Sequence, residues 1–263
     1  MVRNMVSLVL VGVSAAALLI GVTPANGDGS RPPVTEVVGG HTVPDNRFPW
    51  VVRLSVGCGG ALTAPRVVLT AAHCVDRTGP ETGIQVTAGA TDLRSPKAIV
   101  ANSVYVTRAP GFRNETFGDD WALIKLDRAV HLPTLALTRG AEQDTGTFTI
   151  MGWGLTRESA IDQQRRLRYA RVPSVPGRTC ADAYRPLGVK VVVTESICAG
   201  TRGTDSCQGD SGGPMVRRDA KGRWVQVGIV SWGLGCGRAG YPGVYTRISA
   251  FRQDIRAATR KLS

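Results

Sequence analysis

The chain has 263 residues, with 32 Lys and Arg against 20 Asp and Glu, for a formal net charge of +12. That charge raises a nucleic-acid or anionic-surface role, but the arginines are scattered along the sequence and no nucleic-acid-binding motif accompanies them. The sequence therefore predicts no nucleic-acid partner, and the charge is assigned to solubility and weak surface encounters.

From the start, Arg3 is followed by an almost wholly apolar run over residues 5–22, and then by Thr-Pro-Ala25-Asn-Gly27. The run is long enough to span a bilayer. The small residues after it are what signal-peptidase cleavage needs, so residues 1–25 are read as a secretory signal and no stable membrane anchor is expected. Residues 28–36 are polar and proline-rich, as in a connector, and 26–36 are read as a pro-segment. About 230 residues then remain, enough for one large β domain or two small ones.

After Val37 come short β-rich runs separated by Gly, Pro and Asn turns: 50–56, 66–70, 98–106, 121–126, 147–151 and 224–231. Many short strands at such spacing indicate a sandwich or barrel. The polar stretch 137–147 is the candidate boundary between two β halves. Helical periodicity is clear only at the end, where Phe251, Ile255, Ala258 and Leu262 share one face. Six cysteines in an exported chain imply three disulfides, with fifteen formal pairings. Zinc is set aside: there is no Cys-x-x-Cys, and His73 directly precedes Cys74.

Three neighbourhoods carry chemistry. Leu69-Thr-Ala-Ala-His73-Cys74 supplies a proton carrier suited to neutral pH. Gly118-Asp119-Asp120-Trp121 sets a carboxylate at the start of a buried strand, where it needs a partner. Asp205-Ser-Cys-Gln-Gly-Asp210-Ser211-Gly-Gly-Pro214 places one serine among glycines, which permit a tight turn with converging N–H groups. The same string holds two carboxylates five positions apart.

These stretches, with Val37-Val-Gly-Gly40, Gly152-Trp-Gly154, Ser231-Trp-Gly233 and Pro242-Gly-Val-Tyr245, resemble the trypsin-like, chymotrypsin-family serine proteases along nearly the whole chain after residue 36. The short pro-segment and three expected disulfides are most similar to bacterial secreted trypsins. The resemblance implies an all-β fold of two packed antiparallel six-stranded barrels with a C-terminal helix. The peptidase domain would cover 37–263, with barrel 1 at about 37–140, barrel 2 at about 141–250 and the helix at about 250–262. It implies disulfides Cys58–Cys74, Cys180–Cys198 and Cys207–Cys236.

By the same resemblance, Ser211 is the nucleophile, His73 the base and Asp120 its orienting acid, with the Gly209 and Ser211 N–H groups as the oxyanion hole. Asp205 would sit in a primary pocket shaped by Ser206, Gln208, Ser231, Trp232, Gly233 and Gly243, and would receive Arg or Lys from protein and peptide substrates. Asp210 would receive the α-ammonium of Val37 once the chain is cut after Glu36. An inactive binding protein of this fold would commonly lack a triad residue, and all three are present. A secreted, monomeric enzyme without metal or other cofactor is expected, with proteinaceous inhibitors as candidate partners. Glu36 should be repelled by an acidic pocket, so maturation calls for another protease.

Overall fold

The computed structural model describes Val38 and residues 40–263. The expected signal peptide (1–25), the pro-segment (26–36) and Val37 lie outside the described residues. Strands Val51–Leu54, Gly59–Ala64, Val67–Thr70, Ala122–Leu126, Ile99–Arg108 and Gln85–Ala88 pair antiparallel in that order, and the last pairs back to the first. Strands Thr147–Gly152, Arg168–Val175, Ser196–Ala199, Gly243–Arg247, Trp224–Trp232 and Pro214–Arg218 close in the same way. The fold is therefore two closed six-stranded antiparallel barrels with a C-terminal helix, as expected. Closure leaves no open edge in either ring.

Each barrel is filled from its own strands. Leu54, Leu62, Val68, Leu69, Leu123 and Ile124 are fully buried in the first, and Phe148, Val172, Met215, Val227 and Tyr245 in the second. Strands rich in β-branched residues pack well on such half- or fully buried surfaces. The two ends of the described chain cross over. Strand His41–Thr42 pairs with Arg168–Val175 of the second barrel. The helix Ile248–Leu262 instead buries Ile248, Phe251, Ile255 and Leu262 in the core cluster of the first.

The helix begins two residues before the anticipated 250. A second α-helix, Gly177–Tyr184, was not anticipated. It is one short element with Gly, Thr and Asp among its residues, all poor helix formers, and no apolar period to reveal it. Burial of Cys180 and Tyr184, with the Cys180–Cys198 bond, holds it in place. No helix among the described residues is long and apolar enough to cross a membrane.

Candidate active site

The site residues lie where the barrels meet. His73 sits in the 3-10 turn Ala72–Cys74 that ends the first barrel's strand Val67–Thr70. Asp120 precedes the neighbouring strand Ala122–Leu126 and is 1% exposed. Pairing of these strands brings the two side chains together: His73 Nδ1 is 2.8 Å from Asp120 Oδ2, and the His73 backbone N–H donates to Asp120 Oδ1 at 2.9 Å. Burial alone would lower the His73 pKa. The Asp120 hydrogen bond and charge, with a further contribution from the Glu115 charge, outweigh it, and the imidazole titrates above its usual 6.5.

The second barrel completes the carboxylate's surroundings. Ser231 Oγ donates to Asp120 Oδ2, and Thr246 Oγ1 donates to the Asp120 carbonyl at 2.8 Å. Ser231 reaches across because strand Trp224–Trp232 bulges there: Val230 pairs with Tyr245 and Trp232 with Val244, leaving Ser231 as the extra residue. Bulges re-aim side chains in this manner. The sequence reading gave Ser231 a part in the pocket and missed its hydrogen bond to Asp120.

Ser211 lies in the turn that leads into strand Pro214–Arg218. Its carbonyl accepts from the Gly59 N–H at 2.7 Å, and Cys58, next to Gly59, is disulfide-bonded to Cys74, next to His73. Thr70 Oγ1 also donates to the Gly59 carbonyl at 2.8 Å. These links tie the serine turn of one barrel to the histidine turn of the other. Within the turn, the Asp210, Gly212 and Gly213 N–H groups donate to backbone carbonyls. The Gly209 and Ser211 N–H groups have no acceptor among the described residues.

Beside Ser211 is a pocket of about 170 Å³. It is lined by every residue to which the resemblance gave a part in substrate binding: Asp205, Ser206, Gln208, Ser231, Trp232, Gly233 and Gly243. Asp205 is 4% exposed and accepts from the Ser206 N–H at 2.8 Å, the Gly237 N–H at 3.2 Å and the Tyr245 hydroxyl at 3.3 Å. Desolvation outweighs these bonds and pushes its pKa up to about 6. Gly243 is required by close approach, since a Cβ there would lie 2.5 Å from Asp205 Oδ1. Tyr245 does not line the pocket; its support of Asp205 from the core was missed, although it ends a motif singled out in the sequence. Tyr184 was missed as well; it donates to the Pro242 carbonyl at 2.8 Å and packs edge-on against Trp232.

Asp210 is a different kind of acid. It is 2% exposed and its carboxylate accepts from the Gly154 N–H at 2.8 Å and the Cys207 N–H at 3.0 Å. Gly154 leaves the space, because a Cβ would lie within 2.7 Å of both carboxylate oxygens. Burial pushes Asp210 up to about 6, against the two N–H bonds and the Arg53 charge, while the Asp205 charge adds to the rise. The Arg53 guanidinium is itself lowered by desolvation; it donates to the Cys58 carbonyl at 2.7 Å and to Gln163. Val37, the expected partner of Asp210, lies outside the described residues.

The three disulfides are those the resemblance implied, Cys58–Cys74, Cys180–Cys198 and Cys207–Cys236. Closing loops of 16, 18 and 29 residues is worth about 3–4 kcal/mol each, most for the longest. Among the described residues, Cys58, His73 and Cys74 converge as metal ligands would. The bond between Cys58 and Cys74 takes up both sulfurs, so the donor set does not suit a metal.

Comparison with known sequences agrees with this geometry. Residues 37–255 match the family described as Trypsin. The chain is 50% identical over 228 residues to a trypsin-like protease of Streptomyces glaucescens, covering 86% of this chain and 83% of that protein. It is 37% identical over 233 residues to trypsin 5G1 of Aedes aegypti, covering 84% of each. It is 38% identical over 237 residues to serine protease 56 of Mus musculus, covering 84% of this chain and 38% of that longer protein.

Proposed function

The chain belongs to the trypsin family of serine endopeptidases, and we propose that it is a secreted member that cuts peptide bonds after Arg or Lys and matures by cleavage after Glu36. The observation that carries the specificity is a single pocket lined by both the buried carboxylate of Asp205 and Ser211. A substrate guanidinium or ammonium entering it cancels a charge that is otherwise costly to keep there. A neutral side chain leaves that charge stranded, and sites of this kind discriminate by roughly 10⁴.

In the proposed reaction, Ser211 Oγ attacks the scissile carbonyl while His73 takes its proton. The acyl-enzyme forms as the leaving amine receives that proton, and water repeats the sequence to free the acid. Asp120, held by Ser231, fixes the imidazole through Nδ1 and stabilises its charged form. The Gly209 and Ser211 N–H groups, without acceptors among the described residues, are the oxyanion donors; one such donor is worth roughly 10²–10³ in rate. The backbone of residues 231–233 would pair with extended substrate. Asp210 is the internal acid, and the freed ammonium of Val37 is its cation.

The test is titration with a serine-directed inhibitor, followed by peptide amides ending in Arg, Lys, Phe and Glu. Stoichiometric inactivation and cleavage after Arg and Lys alone are expected; cleavage after Phe or Glu at comparable rates refutes the specificity. Amino-terminal sequencing of the active form should read Val-Val-Gly-Gly. Ser211→Ala made in the native host should still be cut there, and accumulation of uncut precursor would instead mean self-processing.

A further inference from the structure

Arginines that are scattered in the sequence converge in the fold. Arg139, Arg252, Arg256 and Arg260 line one open cleft of about 690 Å³. It shares no lining residue with the pocket beside Ser211. Three of the four lie along one face of the helix Ile248–Leu262, where spacing of four residues repeats at about 6 Å. Arg139 joins them from the segment just after strand Ala136–Leu137. The lining contains no carboxylate and no aromatic ring.

Two observations mark this cleft: four arginines converge on a lining that holds no carboxylate, and one of them is partly buried. Some exposed arginines elsewhere are paired, Arg165 with Asp92, Arg223 with Asp219 and Arg238 with Glu158, whereas others, such as Arg113, Arg171 and Arg178, form no ion pair among the described residues but do not line this cleft. Among the described residues, none of the four cleft arginines forms an ion pair. In addition, Arg252 Nε is buried without a hydrogen-bond partner. Buried donors are normally satisfied, and a guanidinium N–H left over calls for an acceptor from outside the chain. The helix dipole accounts for Arg260, which lies in the last turn, but its effect fades before Arg256 and Arg252.

We propose that this cleft binds a linear polyanion carrying phosphate or sulfate groups, with successive oxyanions engaging Arg252, Arg256 and Arg260. Guanidinium groups suit such oxyanions because their planar fork donates two parallel hydrogen bonds. Single-stranded nucleic acid is disfavoured because the cleft has no ring on which a base could stack. Occupancy would tether the protease to an anionic polymer and leave the Ser211 pocket free.

The experiment uses the mature active protein and three probes: inorganic polyphosphate, a heparin-type sulfated glycan and a single-stranded oligonucleotide. Binding is followed by calorimetry across a salt series. Arg252→Gln/Arg256→Gln/Arg260→Gln is expected to weaken polyphosphate or glycan binding at least tenfold, and to reduce the log–log salt slope by about 2. Hydrolysis of a small Arg amide should not change. Glutamine keeps nearly the helix propensity of arginine, and Arg256→Gln/Arg260→Gln spares half-buried Arg252 and should keep at least half the effect on the slope. A control, Arg113→Gln/Arg171→Gln/Arg178→Gln, removes the same charge from exposed positions and should weaken binding less than threefold. Preference for polyphosphate or for the glycan assigns the oxyanion, and either supports the site. Equal losses in the two triple variants, no binding at physiological salt, or oligonucleotide binding as tight as the better polyanion would overturn it.

Discussion

Replacing Asp205 with Asn tests the pocket charge while nearly keeping its shape. A guanidinium and a carboxylate about 4 Å apart, at an effective dielectric of about 20, attract by about 4 kcal/mol. Losing that attraction corresponds to about 10³ in kcat/KM for Arg and Lys amides. A neutral P1 side chain should change less than tenfold. Stability should move the other way. The Asp205 pKa is raised to about 6 from 3.8, so the folded protein binds the proton more tightly than the unfolded chain. The group's contribution is thus fully present below about pH 4 and is lost as pH rises through about 6, a cost of about 3 kcal/mol at pH 7. The variant and its parent should therefore unfold alike near pH 4, with the variant at least as stable at pH 7. Steady-state kinetics on an Arg, Lys and Leu amide series and thermal melts at both pH values read these outcomes. Basic-amide hydrolysis within threefold of the parent would refute the charge argument, and a melt that collapses at pH 7 would refute the stability argument.

Asp210→Asn should fold and be cut to the Val37 terminus, yet lose roughly 10²-fold in kcat, because the oxyanion turn loses the cation anchoring it; near-full activity would sink the assignment. The kcat/KM profile should rise with pH through a limb above 6.5, since the raised His73 pKa keeps the imidazole protonated and unable to accept the serine proton below it; a limb below 6.5 contradicts the Asp120 contribution. Arg157, Arg165 and Arg166 are all exposed, but slow self-nicking should occur after Arg157 rather than after the other two. Those two are paired to Asp92 and held by the Leu93-to-Arg165 backbone bond and the Asp92–Arg166 bridge. Intact mass with and without an active-site inhibitor distinguishes these positions.

The sequence spoke most clearly where physics acts locally. Strands Val67–Thr70 and Trp224–Trp232 were readable because β-branched and aromatic residues crowd them. Gly59–Ala64 was not, because Gly-Gly-Ala-Leu-Thr-Ala has little intrinsic strand preference and is made a strand by its pairing with Val51–Leu54 and Val67–Thr70. Barrel order came from family resemblance, since alternation along a strand does not name its neighbour. The same limit explains the Ser231 bond to Asp120, which depends on a bulge and on the meeting of two barrels. It explains the arginine cleft too: Arg139 becomes part of it only when the inter-barrel segment lies beside the terminal helix.

Both acids of the 205–214 string are buried, and both carry a pKa raised to about 6. Backbone N–H groups support each of them without restoring an ordinary carboxylate. Each therefore gains most from a full positive charge at close range, which the described surroundings supply to neither, apart from the Arg53 field on Asp210. The Asp205 charge also raises Asp210, so a cation delivered to one makes ionisation of the other less costly. Placing them five residues apart, with Cys207 between them bonded to Cys236, keeps that coupling within one rigid turn. A substrate side chain and a newly cut terminus would then favour the same arrangement of the serine turn, which is a physical reason for two acids to precede the proposed nucleophile Ser211.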